Sequence, residues 1–129
     1  MHLIIGGRRQ GKLDYALGLS KSEAVIANLG ACEFDEIPEA DIICNLQDGV
    51  RKILEEGGNP VMIFEQSFDV LQNKILIGDE IGSGIVPADP FERKWRDETG
   101  RLYVFLSSRA DRVDRLWAGC IQNLKGNDE

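Results

Sequence analysis

Short apolar runs alternate with segments of helical periodicity along this chain. Four runs are short enough for buried strands, at 3–5, 24–27, 41–44 and 74–77. A fifth strand is predicted at 113–118, followed by a turn and a short partner strand. Strands that alternate with helices predict an α/β fold, with a mostly parallel sheet flanked by helices and a C-terminal hairpin.

The segments between these runs carry helix signals. Apolar residues recur at helical spacing from Leu13 onward and again over 46–54, where a pair of glycines at 57–58 predicts the end of the helix. Asn59 followed by Pro60 is typical of an N-cap and a first-position proline. Apolar spacing of three or four residues predicts that this third helix continues for about three turns.

A fourth, longer helix is predicted after Asp89, which is followed by a proline and by a capping-box glutamate, Glu92. Gly100 lies inside this helix at a cost of about 1 kcal/mol relative to alanine, which predicts tight packing there. The acidic segment 31–40 is interpreted as a connection, with one extended piece at 33–34.

Composition limits the class of protein. A chain of 129 residues is expected to form a single domain, 1–129, with its own core. The net charge of −7 argues against nucleic acids and anionic membranes as main partners. No apolar run approaches the roughly 18 residues of a membrane span. Cys32, Cys44 and Cys120 form no C-x-x-C pair, which predicts reduced thiols and a cytoplasmic location.

A glycine loop lies between the first predicted strand and the first predicted helix. Residues 6–12 match G-x-x-x-x-G-K, the pattern of a phosphate-binding P-loop, in the context that the pattern requires. In such a loop, backbone N–H groups turn towards phosphate oxygens and the helix N-terminus adds partial positive charge. The predicted nucleotide-binding residues are Gly6, Gly7, Arg8, Arg9, Gln10, Gly11, Lys12 and Leu13, with Asn28 and Asn45 at the same carboxyl edge of the sheet.

One position of this loop departs from the pattern. A working loop ends in Ser or Thr, whose hydroxyl holds Mg²⁺, whereas Leu13 has no oxygen to offer a hard cation. We therefore assign no metal ligand and expect phosphate contact through amides and the ammonium of Lys12. Two interpretations of Lys12 stay open, a phosphate ligand and a solvated lysine at a helix start. Arg8 and Arg9 are either phosphate contacts or exposed loop arginines.

A second glycine-rich run, 78–87, reads G-D-E-I-G-S-G-I-V-P and is followed by W-R-D at 95–97 and G-R-L at 100–102. This signature resembles the adenosylcobinamide kinase / adenosylcobinamide-phosphate guanylyltransferase family, in which N-E-V-G-x-G-I-V-P precedes an F-R-D-x-x-G helix. The glycine loop is similar to that family's G-G-x-R-S-G-K, and A-D-R-V at 110–113 is similar to its A-D-x-V strand. The chain resembles a shortened, divergent member.

The resemblance implies a P-loop NTPase-like domain that binds ATP or GTP and adenosylcobinamide and forms homo-oligomers. It implies catalytic roles for Lys12 and Glu80, which keep the family's lysine and glutamate. Family members phosphorylate a hydroxyl of adenosylcobinamide and then transfer GMP through a guanylyl-histidine. The only histidine here is His2, so we expect the guanylyl step to be absent. Asn45 replaces a family glutamate near the metal, so we expect weakened kinase activity.

Two other functions stay open. A homologue without turnover could bind nucleotide or corrinoid as a regulatory or assembly partner, and a structural scaffold could keep an empty loop. Glu80 is compatible with a metal, base or ribose contact and equally with a carboxylate that caps local N–H groups. Trp95 and Trp117 are interpreted as core or subunit contacts, and the apolar residues of 102–106 as a candidate subunit contact.

Overall fold

The computed structural model describes residues 1–20, 23–82 and 87–126. The strands of this part of the chain are β1 His2–Gly6, β2 Ile26–Asn28, β3 Ile42–Cys44, β4 Ile75–Asp79, β5 Arg112–Trp117 and β6 Cys120–Lys125. The α-helices are α1 Lys12–Leu19, α2 Leu46–Glu55, α3 Pro60–Gln66 and α4 Pro90–Arg109, and two 3₁₀ helices span Phe34–Glu39 and Phe68–Leu71. None of these helices is long and apolar enough to cross a membrane.

The strands form one sheet in the order β2-β3-β4-β1-β5-β6. The first five are parallel to their neighbours, and β6 returns antiparallel to β5 as a hairpin. The α/β fold with a mostly parallel sheet and a C-terminal hairpin is therefore confirmed. Since β1 lies between β4 and β5, the loop that follows β1 begins beside the carboxyl ends of both neighbours.

Alternate residues of each strand pack on opposite faces of the sheet. On one face, Leu3 lies in a core shared with Val50 of α2 and Leu102 of α4, all fully buried. On the other face, Ile4 packs in a smaller cluster that includes Ala16 of α1. Each fully buried side chain of the Leu or Ile type contributes about 1.5–3 kcal/mol relative to exposure. These cores fix α1 and α2 on opposite sides of the sheet.

Both predicted N-caps are confirmed. The side chain of Asn59 accepts a hydrogen bond from the N–H of Met62 at 3.2 Å, and that of Asp89 accepts one from the N–H of Phe91 at 2.8 Å. Each cap satisfies a helix N–H that has no partner within the helix. The predicted capping-box residue, Glu92, instead pairs with an arginine of α2.

Two segments differ from the predictions because they contain 3₁₀ helices. The helix that begins at Pro60 ends at Gln66, and 68–71 forms a separate 3₁₀ turn. The extended piece predicted at 33–34 holds only for Glu33, because a 3₁₀ helix spans Phe34–Glu39. In a 3₁₀ helix, residues three positions apart lie on the same side, so apolar spacing of three is compatible with both helix types.

The prediction of tight packing at Gly100 is also wrong. Gly100 is exposed, and a side-chain carbon added there would meet no atom within 4 Å, so nothing in the structure requires glycine. Within the candidate subunit contact at 102–106, Leu102 and Leu106 are fully buried in the core, whereas Val104 is 72% exposed, so this contact stays a prediction. Trp117 is 71% exposed, which excludes its interpretation as a core residue. A homo-oligomer stays a prediction.

Candidate functional site

A cleft of about 510 Å³ lies at the carboxyl edge of the sheet. Eight of the ten predicted nucleotide-binding residues line it: Arg8, Arg9, Gln10, Gly11, Lys12, Leu13, Asn28 and Asn45. The lining is completed by Asp14, Cys44, Ile77 and Asp79. The parallel topology thus brings together residues from the ends of β1, β2, β3 and β4 that lie far apart in sequence.

The glycine loop is the turn between β1 and α1. A side-chain carbon on Gly6, the last residue of β1, would collide with the carbonyl oxygen of Leu116 on β5. Arg9 and Gly11 have left-handed φ angles of 61° and 86°, which curl the chain before α1 begins. Within the described chain, no protein group accepts a hydrogen bond from the N–H groups of residues 8–12. These N–H groups can therefore bind an anion.

Lys12 is buried beneath this loop, so the interpretation as a solvated lysine is wrong. Its side chain is 6% exposed. The ammonium donates to the carbonyl of Gly7 at 2.6 Å and lies 2.8 Å from Oδ1 of Asp79. An ammonium has three donors, so one remains for a ligand.

Asp79, the last residue of β4, is held through all of its polar groups. Its N–H donates to Oε1 of Gln47 at 2.9 Å, and its carbonyl accepts from the hydroxyl of Tyr103 at 2.6 Å. One carboxylate oxygen pairs with Lys12, and the other accepts from Nε2 of Gln47 at 3.2 Å. Burial raises the pKa of Tyr103, so its hydroxyl remains a donor. Gly78 is required here because a side-chain carbon would collide with that hydroxyl.

Amide side chains continue from Asp79 across the edge of the sheet. Nε2 of Gln47 lies 3.3 Å from Oδ1 of Asn45, and Nδ2 of Asn45 donates to Oδ1 of Asn28 at 2.7 Å. Asn45 has a left-handed φ of 58°, which asparagine tolerates better than most residues. Sequence reasoning places Asn28 and Asn45 at this edge but misses Gln47. Its only sequence signal is its place in the first turn of the helix after β3.

A second cleft of about 370 Å³ adjoins the first and shares Arg8, Asn45 and Asp79 with it. Glu80 lines this second cleft, where its carboxylate forms a two-pronged pair with Arg115 at 2.6 and 3.1 Å. Lys12 lines only the first cleft. The two predicted catalytic residues therefore line different clefts, and among the described residues the partner of the Glu80 carboxylate is a cation.

The wall of the second cleft contains Asp48 and Trp95. Burial raises the pKa of Asp48, and the charge of Asp79 raises it further. The indole N–H of Trp95 donates to the backbone carbonyl of Gln47 at 2.7 Å, and the guanidinium of Arg51 lies 4.9 Å from its ring. Trp95 is thus a packing residue between α4 and α2.

The first cleft lacks the hydroxyl that holds Mg²⁺ in the P-loop pattern, and the carboxylates that line it are those of Asp14 and Asp79. Leu13 occupies the position of the metal-binding hydroxyl. Both carboxylate oxygens of Asp79 already accept hydrogen bonds, from Lys12 and Gln47. Among the residues that the structure describes, no group of three His, Cys, Asp or Glu side chains could hold a metal ion.

Residues 59–124, which extend from the N-cap of α3 into β6, match the sequence model of a family described as cobinamide kinase / cobinamide phosphate guanyltransferase. The match covers more than half of the chain. The chain belongs to this family. Its members are transferases of cobalamin biosynthesis that act on nucleotide and cobinamide substrates. No curated protein matches the chain.

Family membership confirms the resemblance that the 78–102 signature predicts. The matched segment contains Asp79 and Glu80 but begins after the glycine loop, so membership does not depend on that loop. The roles of the loop residues therefore have to be argued from their geometry.

Proposed function

We propose that the protein binds the phosphates of ATP or GTP on the glycine loop and has weakened cobinamide kinase activity without guanylyl transfer. The observation that carries this proposal is the set of N–H groups of residues 8–12, which have no acceptor within the described chain. The buried ammonium of Lys12 lies beneath them and has one donor left. Such an arrangement of amides at a helix N-terminus suits phosphate oxygens.

The charge of the cleft supports phosphate binding without a protein-held metal. Arg8 and Arg9 are exposed and line the cleft with Lys12. The charge of Lys12 is partly balanced by Asp79, and Asp14 also lines the cleft, so three basic and two acidic side chains leave a net positive charge there. A nucleotide would therefore be held by amides and by three basic side chains.

The second cleft supports the acceptor side of the proposal. It adjoins the first cleft at Arg8, Asn45 and Asp79, so a hydroxyl group placed there would lie beside the phosphate loop. Phosphoryl transfer depends mainly on positioning and on neutralisation of charge. With no metal ligand at Leu13, the neutralisation is incomplete, which is the reason for proposing weak activity.

The absence of guanylyl transfer is proposed from the place of the single histidine. His2 is the first residue of β1 and lies at the opposite end of that strand from the loop. Its Nε2 is 2.7 Å from Oδ2 of Asp114, which is fully buried. The imidazole is therefore engaged within the fold and remote from both clefts.

A second candidate function is nucleotide or corrinoid binding without turnover. It is favoured by Leu13 and Asn45, both of which are uncharged. Leu13 stands where the P-loop pattern has a metal-binding hydroxyl, and Asn45 stands where the family has a glutamate near the metal. Both candidates predict nucleotide binding, and only the first predicts a phosphate ester of adenosylcobinamide.

Calorimetric titration with ATP and GTP tests the proposal. We expect binding that persists in EDTA, and a Lys12→Met variant that binds about 10- to 100-fold more weakly because a charged hydrogen bond is worth about 1.5–3 kcal/mol. Lys94→Met removes an exposed lysine of α4 and is the matched control. The proposal fails if neither nucleotide binds. Incubation with nucleotide, Mg²⁺ and adenosylcobinamide then separates the two candidates, because only a kinase forms the ester.

A further inference from the structure

We propose that Gln47 is a positioning residue that sets the place of the Lys12 ammonium by acting through Asp79. This inference deepens the proposed function, because Lys12 is the cation of the proposed phosphate site. Gln47 does not reach Lys12 itself; every step of the connection runs through the carboxylate and the N–H of Asp79.

The side chain of Gln47 is buried, with 6% of the residue exposed. A buried amide is costly unless its hydrogen bonds are made. Nε2 lies 3.2 Å from Oδ2 of Asp79 and 3.3 Å from Oδ1 of Asn45, and Oε1 accepts from the N–H of Asp79 at 2.9 Å. The whole amide therefore points to the carboxyl ends of β3 and β4.

These bonds fix the orientation of the Asp79 carboxylate. With the N–H and Oδ2 of Asp79 both bound to one amide, the carboxylate cannot rotate without breaking a bond to Gln47. Oδ1 is consequently left facing Lys12 at 2.8 Å. The second anchor of the ammonium is the carbonyl of Gly7 in the loop. The direction of the remaining N–H of Lys12 thus follows from the position of Asp79.

A neutral amide suits this position better than the alternatives. A carboxylate at residue 47 would repel Asp79, and an ammonium there would compete with Lys12 for it. An amide donates to the carboxylate with one end and accepts from the backbone with the other. The backbone carbonyl of Gln47 also accepts from Trp95, which anchors the first turn of α2 to α4.

The first arm of the test measures ATP affinity by calorimetry. We expect Gln47→Leu to weaken ATP binding about five- to tenfold, which corresponds to the loss of about one hydrogen bond of ordinary strength. In an Asp79→Ala background the same substitution should have no further effect, because the connection to Lys12 is already broken. Gln66→Leu, at an exposed glutamine of α3, is the matched control and should match the wild type.

A Gln47→Glu variant separates positioning from a general structural role. The introduced carboxylate would face Oδ2 of Asp79, so the two would share a proton at low pH and repel one another at high pH. We expect the ratio of variant to wild-type dissociation constants to rise with pH between about 5 and 8. Using this ratio cancels the titration of ATP itself. A pH-independent ratio overturns the inference.

The last arm needs no ligand. The Nζ signal of a buried, hydrogen-bonded lysine ammonium can be followed by nitrogen NMR and assigned with the Lys12→Met variant. We expect Gln47→Leu to shift or broaden this signal and Gln66→Leu to leave it unchanged. An unchanged signal in Gln47→Leu, or a full Gln47→Leu effect on affinity in the Asp79→Ala background, overturns the inference. A wild type that binds neither nucleotide overturns the proposed function instead, and the ammonium signal still decides the role of Gln47.

Discussion

Asp79 and Asp114 lie on β4 and β5, the strands that flank β1, and each carboxylate is surrounded by donors. Asp114 has no exposed surface, and its oxygens accept from Tyr15, Arg112 and Asn123 and contact His2. The side chain of Asp79 is 20% exposed and lines both clefts. The two carboxylates therefore have similar hydrogen-bonding partners but differ in their exposure to solvent.

Exposure to solvent distinguishes a carboxylate with a structural role from one that can take part in ligand binding. The donors around Asp114 come from β1, α1, β5 and β6, and the side chain itself has no exposed surface, so its hydrogen bonds join those elements. At Asp79 the partner cation, Lys12, has a donor to spare and faces a cleft. A buried polar network that is fully satisfied rigidifies a fold, whereas a site open on one side can take a ligand.

The largest expected effect is on stability. Asp114→Ala should lower the free energy of unfolding by about 3 kcal/mol, because it leaves several partly buried donors, one of them a cation, without their acceptor. Asp79→Ala should cost only about 1 kcal/mol, because water from the clefts can replace the carboxylate. Urea denaturation followed by circular dichroism measures both, with Asp97→Ala on the exposed part of α4 as the baseline.

If Asp114→Ala and Asp79→Ala lowered the free energy of unfolding equally, the distinction between the buried site at Asp114 and the solvent-accessible site at Asp79 would be contradicted. If Asp114→Ala does not fold, Asp114→Asn provides a milder comparison. It keeps one acceptor oxygen and should fall between the wild type and the alanine variant in stability.

A smaller effect is expected from adding a metal ligand to the open site. Leu13→Ser restores the hydroxyl of the P-loop pattern, so Mg²⁺ should raise the ATP affinity of this variant about tenfold over its affinity in EDTA, a gain of about 1.4 kcal/mol. The wild type should show no such gain. Calorimetry with and without Mg²⁺ measures the difference. Leu17→Ser, one turn later on α1 and similarly exposed, is the control, and an equal response in all three proteins would refute the role of position 13.

The smallest expected effect is a pH dependence of stability that arises from His2 and Asp114. Burial lowers the pKa of His2 below its ordinary value of 6.5, although the neighbouring carboxylate of Asp114 opposes the shift. The native state therefore favours the neutral form of His2. This preference stabilises the fold fully above pH 6.5, and its contribution is lost as the pH falls through the lowered pKa. Hydrogen bonds from Asn123, His2 and Tyr15 outweigh desolvation and lower the pKa of Asp114, so its own contribution is lost only below pH 3.8.

A His2→Gln variant removes the first of these titrations and keeps an amide N–H for Asp114. Its free energy of unfolding should change less than that of the wild type as the pH falls from 7.5 to 5, measured by urea denaturation. The same slope in both proteins would show that another group titrates in this range.

The sequence predicts the elements of this fold where local signals are strong. Asn59 and Asp89 start their helices as predicted, since N-caps depend on a few adjacent residues. Spacing alone does not distinguish α from 3₁₀ turns at 68–71, because apolar residues three apart suit both. The prediction of tight packing at Gly100 is wrong because a glycine can indicate either conformational freedom or close packing, and the structure requires neither at this position.

The candidate site is predictable in its location and not in its internal bonding. The glycine pattern and the parallel topology place Lys12, Asn28 and Asn45 at one edge, and the structure brings them there. The pairing of Lys12 with Asp79 depends on the register of β1 and β4, which sets Gly6 opposite Asp79. Gln47 has no motif, and its role follows only from the three-dimensional approach of α2 to β4.

The two tryptophans of this chain stand in contrasting surroundings, which gives the protein a built-in optical label. Trp117 is largely open to solvent beside a turn whose Ala118 N–H is bound by the side chain of Gln10 from the glycine loop. Trp95 is partly shielded and anchored to α2. Iodide or acrylamide should quench the first ring well before the second, so fluorescence can monitor the hairpin and the helix interface separately without any attached dye.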